Sequence, residues 1–222
     1  MKILILNGPP NVGKDTLADN LIDRDIEDWF KFSFKAQLYK ETAEYYKIDL
    51  QKFIFWASDR YIKETPIPEL KCLTPRQAMI HVSENIMKPR YGKDHYGKAL
   101  LNIIQNLNHI ENIVIPDGGF EEEVTVLMDA YPDEVWIVHM TSQDCSFKND
   151  SRDYIKGWPD QTFELEINRG YPLMDYEELV NILDEIQDIS VARSRLNDEP
   201  DDTPYMTEDF EGDRHYIGEE NE

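Results

Sequence analysis

Residues 2–16, Lys-Ile-Leu-Ile-Leu-Asn-Gly-Pro-Pro-Asn-Val-Gly-Lys-Asp-Thr, constrain the fold more than any other part of this 222-residue chain. The apolar run Ile3 to Leu6 suits a buried parallel strand. Gly8-x-x-x-x-Gly13-Lys14 follows, and then Leu17, Ala18, Leu21 and Ile22 recur at helical spacing. A strand, a glycine-bounded loop ending in lysine and a helix make the layout of a phosphate-binding P-loop. The glycines let the amides of residues 9–14 turn inward as a nest of donors. The helix N-terminus adds a partial positive charge, and Lys14 adds a full one for β- and γ-phosphates. The pattern predicts a nucleoside triphosphate site built from Gly8, Asn11, Val12, Gly13, Lys14, Asp15 and Thr16. An ordinary strand–turn–helix with Gly13 as a hinge is the plain alternative, and the flanking periodicity speaks against it.

One letter departs from the common pattern. The Ser/Thr whose hydroxyl ligates magnesium is here Asp15, with Thr16 next. A carboxylate also holds hard Mg²⁺, directly or through water. Metal binding is therefore expected of Asp15, Thr16 or both.

The length suits one well-cored α/β domain with insertions. No apolar run approaches a membrane span, and the N-terminal stretch is too short for a secretory core. Cys72 and Cys145 lack metal or redox spacing, which fits a reduced cytoplasmic compartment and a packing role for both. The net charge is −22, from 23 Lys+Arg against 45 Asp+Glu. Such a chain lacks the basic footprint of a nucleic-acid binder, and neither nucleic acid nor membrane is expected as a partner.

Along the chain, strands and helices alternate. Trp29 to Phe34 alternates as a strand, and residues 35–48 carry a helical pattern. Residues 50–72 are mixed, with Pro66 and Pro68 as breakers. Thr74-Pro75-Arg76-Gln77 reads as N-cap, first helical proline and capping-box glutamine. A further helix is expected from about Asp94 to Leu107, with Tyr96, Leu100, Ile103, Ile104 and Leu107 facing the core. Asn112 to Asp117 is a strand ending in a carboxylate, followed by Gly118-Gly119 and a helix to about Ala130. Val135 to Met140 and Thr162 to Asn168 are further strands, and Tyr176 to Ile189 is the closing helix. This alternation predicts a parallel sheet with the ligand at its carboxyl edge. The domain spans 1–190. It contains an acceptor-binding insert at about 35–110 and a polar, mobile lid at about 141–161. Residues 191–222 form an acidic tail. Its Tyr205, Met206, Phe210, Tyr216 and Ile217 suit either a docking arm, on a second copy in a homodimer or over the site, or a solvated extension.

Phosphoryl transfer needs positioning and charge neutralisation. Asp117, at a strand end, is the expected acid near metal or acceptor. Arg152 is expected as a lid cation closing over the phosphates. Arg60, Lys63, Arg76, Arg90 and Lys98, concentrated in the insert of an acidic chain, are the candidates for an acceptor phosphate.

Several segments together resemble the phage deoxynucleoside monophosphate kinases. They are Gly-Lys14-Asp-Thr, Asp59-Arg60-x-x-Lys63-x-x-Pro66, Leu73-Thr-Pro-Arg76-Gln-Ala-Met, Pro89-Arg90-Tyr-Gly-Lys-Asp94-His-Tyr-Gly-Lys98-Ala-Leu-Leu, Ile113-Val-Ile-Pro-Asp117 through Phe120-Glu-Glu-Glu, and Phe147-Lys-Asn-Asp150-Ser-Arg152. The similarity runs from about residue 2 to 190. It implies a P-loop kinase fold, a three-layer α/β/α arrangement around a central parallel sheet. It also implies ATP and Mg²⁺, a (deoxy)nucleoside monophosphate acceptor and a cytoplasmic location, the host's if phage-encoded. One departure is that Gly119 stands where family members commonly carry an arginine two residues after the aspartate. Arg90 or Lys98 is then expected to compensate, or substrate choice has changed. A kinase of another small metabolite and a non-catalytic nucleotide-binding protein remain alternatives. On the kinase reading, Lys14→Ala should abolish phosphoryl transfer with an unchanged circular dichroism spectrum. Turnover near the wild-type level in that variant would exclude it.

Overall fold

The structure, a computed structural model, describes residues 1–24, 28–107, 109–148, 150, 152–168, 170–198, 207–208 and 214–215. The five tail residues singled out above lie outside these. Two compact units are present, Met1–Ile186 and Gln187–Glu222.

In the first unit β1 (Lys2–Asn7) leads into α1 (Lys14–Asp23) and β2 (Trp29–Lys31). The insert follows as α2 (Lys35–Tyr46), α3 (Leu50–Ser58), α4 (Pro75–Val82), α5 (Lys88–Tyr91) and α6 (His95–Gln105). Then come β3 (Asn112–Ile115), α7 (Glu121–Ala130), β4 (Val135–Thr141), β5 (Thr162–Glu166) and the start of α8 (Pro172–Asp198). The strands form one parallel sheet in the order β2-β3-β1-β4-β5. Strand β1 lies at its centre because Ile3 to Leu6 has no polar side to present to water. Its register sets Ile3 beside Ile113 and Val135, so the three strands end nearly level and their loops meet at one edge. The second unit holds the later residues of α8 and an antiparallel pair, β6 (Thr207–Glu208) and β7 (Arg214–His215). Among the described residues no helix is long and apolar enough to cross a membrane.

Alternation along the strands sends Ile3, Ile5, Ile113, Ile115, Val135 and Ile137 to one face. There they pack with Tyr96, Leu100 and Ile104 of α6 and with Val124, Leu127 and Met128 of α7. Ile103 and Leu107, expected on the same stripe, are instead more than a third exposed. Ile103 lies at the edge of the face that Tyr96, Leu100 and Ile104 define, and Leu107 lies beyond Gln105, where α6 ends. The insert builds its own small core from Ala43, Phe53, Ala57, Leu70, Ala78 and Met79, which makes it a firm wall beside the sheet edge.

Three local outcomes refine the sequence expectations. The capping box of α4 is present in both directions, Gln77 N donating to Thr74 Oγ1 at 3.1 Å and Thr74 N to Gln77 Oε1 at 3.0 Å. The mixed region after residue 49 begins as a helix, because the Asp49 carboxylate accepts from Lys52 N and caps it. Strand β2 stops at Lys31 rather than Phe34, since the amides of Phe34 and Lys35 turn away to the Asp117 carboxylate. Cys72 is exposed, contrary to a packing role.

Glu123, in the first turn of α7, is 4 % exposed. Burial pushes its carboxyl up to about 8. Lys88 opposes this, while Asp117, Glu122 and Glu84 add to it. An unfolded glutamate titrates near 4.5. The folded chain thus holds the extra proton between pH 4.5 and 8, and stability falls as pH rises through that window. Glu123→Gln should stabilise the protein at pH 7.5 by on the order of 1–3 kcal/mol and flatten this pH dependence, as read by urea unfolding. A destabilised variant at pH 7.5 would refute the assignment.

Candidate active site

The loop after β1 has the backbone a phosphate nest requires. Asn11 has φ 65° and Gly13 φ 108°, both left-handed, on either side of Val12, which points into the core. Gly13 is the N-cap of α1 without a side-chain cap, so the first amides of the helix remain open to an anion. Lys14 is only 8 % exposed and folds back over the loop, donating to Gly8 O at 2.6 Å and Pro9 O at 2.8 Å. Burial, then the nearby Arg152 and Lys35 cations, push its ammonium down to about 8, against the pull of Asp15 and Asp150.

Asp117 closes the turn after β3 and is buried. Its Oδ1 accepts from Phe34 N at 3.1 Å. Its Oδ2 accepts from Ser33 Oγ at 2.6 Å and Lys35 N at 3.1 Å, with Lys35 Nζ at 3.8 Å. Both oxygens therefore have donors, and the carboxylate docks the start of α2 onto the sheet edge. Tyr39, one turn along α2, faces the same region. Burial and then the Asp117 and Asp15 charges raise its phenol to about 12.

Arg152 lies in the segment after β4. Its guanidinium makes a bidentate pair with Asp150, Nε to Oδ1 at 2.8 Å and Nη2 to Oδ2 at 2.7 Å. That pair depresses Asp150 and raises Arg152. The segment expected to be a mobile lid is tied to the sheet near this arginine. Ile155 is buried in the core, its amide donates to Asn7 Oδ1 at 2.9 Å, and its carbonyl lies 2.9 Å from His139 Nε2. The adjacent Tyr154 adds to this anchor, its hydroxyl donating to Met140 O at 3.1 Å, and the Arg152 charge acts on Lys14 in this arrangement.

From the insert, Lys63 and Arg76 belong to the same field. Lys63 is lowered by burial and then by Arg76, Lys35 and Arg152, with Glu64 opposing. Arg76 Nε donates to Glu64 Oε1 at 2.6 Å, and its charge reaches Asp150. The other expected acceptor residues have different surroundings. Arg90 is exposed with its guanidinium over its own neighbour Tyr91, Lys98 pairs with Asp94 at 2.7 Å, and Arg60 is exposed after α3. The Asp59 carboxylate is used by the amides of Tyr61 and Ile62.

For metal, the exposed Asp15 and Thr16 flank the first turn of α1, and Asp15 lies 3.3 Å from Lys31 Nζ. Among the described residues no group of three or more His, Cys, Asp or Glu is gathered for a metal. An ion here would draw its remaining ligands from phosphate and water, as Mg²⁺ commonly does. Lys35, Tyr39, Ser33 and Asn7 were not singled out from sequence. Only Lys35 carried a signal, as a cation just after a strand and at a helix start.

No protein-family model matches the chain, and no curated protein does. Among solved structures, a gluconokinase from Sinorhizobium meliloti 1021 aligns at TM-score 0.41 and 9 % identity, over 82 % of this chain and 95 % of its own. A sugar kinase from Janibacter sp. HTCC2649 aligns at TM-score 0.36 and 12 % identity, over 83 % and 95 %. Likeness this distant carries no conclusion about chemistry.

The Lys14 ammonium gives a pH test. Its unfolded value is 10.5, so the unfolded chain binds more protons between pH 8 and 10.5, and Lys14 makes stability rise with pH across that window. A polyphosphate in the nest favours the charged form. Calorimetry of inorganic tripolyphosphate at pH 8, in buffers of different ionisation enthalpy, should show wild type taking up about half a proton more than Lys14→Arg, whose charge is fixed. Equal uptake would place Lys14 outside the phosphate site.

Proposed function

We propose that this chain is a P-loop kinase that moves the γ-phosphoryl group of ATP onto a (deoxy)nucleoside monophosphate, giving the diphosphate, with Mg²⁺. The observation that carries this is that Lys35 and Arg152 stand in the charge surroundings of both Lys14 and Lys63, with Arg76 acting on Lys63 as well. Two chain segments and the insert deliver these five cations to one sheet edge, in a protein of net charge −22. Asp150, Glu64 and Asp117 offset part of the repulsion among these like charges, and an anionic ligand would offset more. A triphosphate in the nest would engage Lys14 and the α1 amides. The second set, Lys63 and Arg76, would then meet another phosphate, that of the acceptor.

The state of the carboxylates supports the same choice. A metabolite alcohol would need a base with a free oxygen near its hydroxyl. Asp117 spends both oxygens on Ser33, Phe34 and Lys35, and Asp150 spends both on Arg152. A phosphate acceptor is already a competent nucleophile and needs no such base. Asp15 and Thr16 would hold Mg²⁺, whose charge neutralises β- and γ-oxygens. Asp117, proposed from sequence as a metal or acceptor ligand, serves here by fixing Ser33 and Lys35 at the site.

Incubation with ATP and a panel of nucleoside monophosphates and polyols, read as ADP formation, tests the proposal. Monophosphate-dependent ADP supports it, and polyol-dependent ADP would replace it with a metabolite kinase. Lys63→Ala and Arg76→Ala should weaken monophosphate binding by about 1.5–3 kcal/mol while changing ATP affinity much less. Equal losses for the two nucleotides would dissociate the insert from the acceptor.

A further inference from the structure

We propose that Gly119 is a positioning residue for Arg152, leaving open the space that the arginine's methylenes occupy. The proposal deepens the phosphoryl-transfer reading and rests on it. A Cβ built on Gly119 would lie 2.5 Å from Arg152 Cδ, 2.9 Å from Cγ and 3.2 Å from Cβ. The first two separations are shorter than real carbon contacts allow, so any side chain at 119 must displace the arginine.

Arg152 has little freedom to yield. Its guanidinium is pinned by both oxygens of Asp150, and its own amide donates to Asp150 Oδ1 at 3.0 Å. Its backbone side is fixed by Asn7, whose Nδ2 donates to Gly118 O at 2.9 Å and to Asp153 O at 3.2 Å. One buried amide thus binds the residue before Gly119 and the residue after Arg152, holding the two loops in register. With both ends held, the methylenes between cannot swing clear without breaking one of these contacts. Gly119 is not in the left-handed region, so an alanine there is penalised by the arginine alone and not by its own backbone. The guanidinium that this seat delivers is the largest charge influence on Lys14.

The prediction is a coupling between two residues, tested in Gly119→Ala, Arg152→Ala and the double variant. Gly119→Ala should lower the melting temperature by several degrees in the wild-type background and by almost nothing beside Arg152→Ala. Inorganic tripolyphosphate, read by calorimetry, should bind roughly tenfold or more weakly to each single variant. The double variant should be no weaker than Arg152→Ala alone. Melting shifts that simply add, or tripolyphosphate affinity unchanged in Gly119→Ala while Arg152→Ala loses it, would overturn the seat and leave the kinase reading standing. Failure of the wild-type protein to bind tripolyphosphate would overturn both. The melting cycle would then still say whether the steric contact exists.

Discussion

The site depends first on the side-chain amide of Asn7. This residue ends the central strand, is fully buried, and has three hydrogen bonds to backbone groups of two other loops. Neighbouring parallel strands leave their last amides and carbonyls unpaired at the carboxyl edge, where helices cannot cover them. An asparagine carries both a donor and an acceptor, so a single side chain satisfies a carbonyl after β3 and both a carbonyl and an amide after β4. An aspartate in its place would lose the donor, and a leucine would take the side-chain partner from the buried Gly118 carbonyl and Ile155 amide and from the part-buried Asp153 carbonyl. Through this clamp the P-loop, the Gly118-Gly119 turn and the Arg152 segment become one rigid edge.

On that edge the protein assembles charges that repel one another. Lys14 is held down near 8 and bent onto the loop carbonyls, while Lys63 is lowered by burial beside Arg76. Counter-charges are present but already engaged. Asp150 grips Arg152, Glu64 grips Arg76, and Asp117 is spent on α2. On the proposed reading the arrangement is preorganised for an anion, because the donors are fixed before it arrives and little must move when it does. The surrounding surface carries the opposite sign. A chain of net charge −22 repels polyanions in general, so on the proposed reading attraction is confined to this edge.

Much of the local architecture was readable from short patterns. The capping box at Thr74, the β1 run and the helix after Gly119 each follow from interactions within a few residues, and each is present as expected. Expectations failed where a distant partner decided the outcome. Strand β2 ends early because Asp117, more than eighty residues away, takes the amides of Phe34 and Lys35. Within the segment at 141–161 the burial of Ile155 and Gln161 leaves no periodic trace in the sequence. The insert's cations look alike in sequence, yet Lys63 is lowered beside Arg76 and Lys35 while Lys98 pairs with Asp94 on α6.

Sequence by itself determined the strand–loop–helix at the N-terminus, because an apolar run, a glycine-bounded loop and an amphipathic helix are local patterns. It also determined the parallel α/β class, through the alternation of apolar runs with amphipathic helices. Only the tertiary structure decided which cations share the cleft, which carboxylates are spent, and that Arg152 lies across Gly119. These are relations between side chains brought together from separate loops. They depend on the register of the sheet and on Asn7, and no spacing along the chain encodes them.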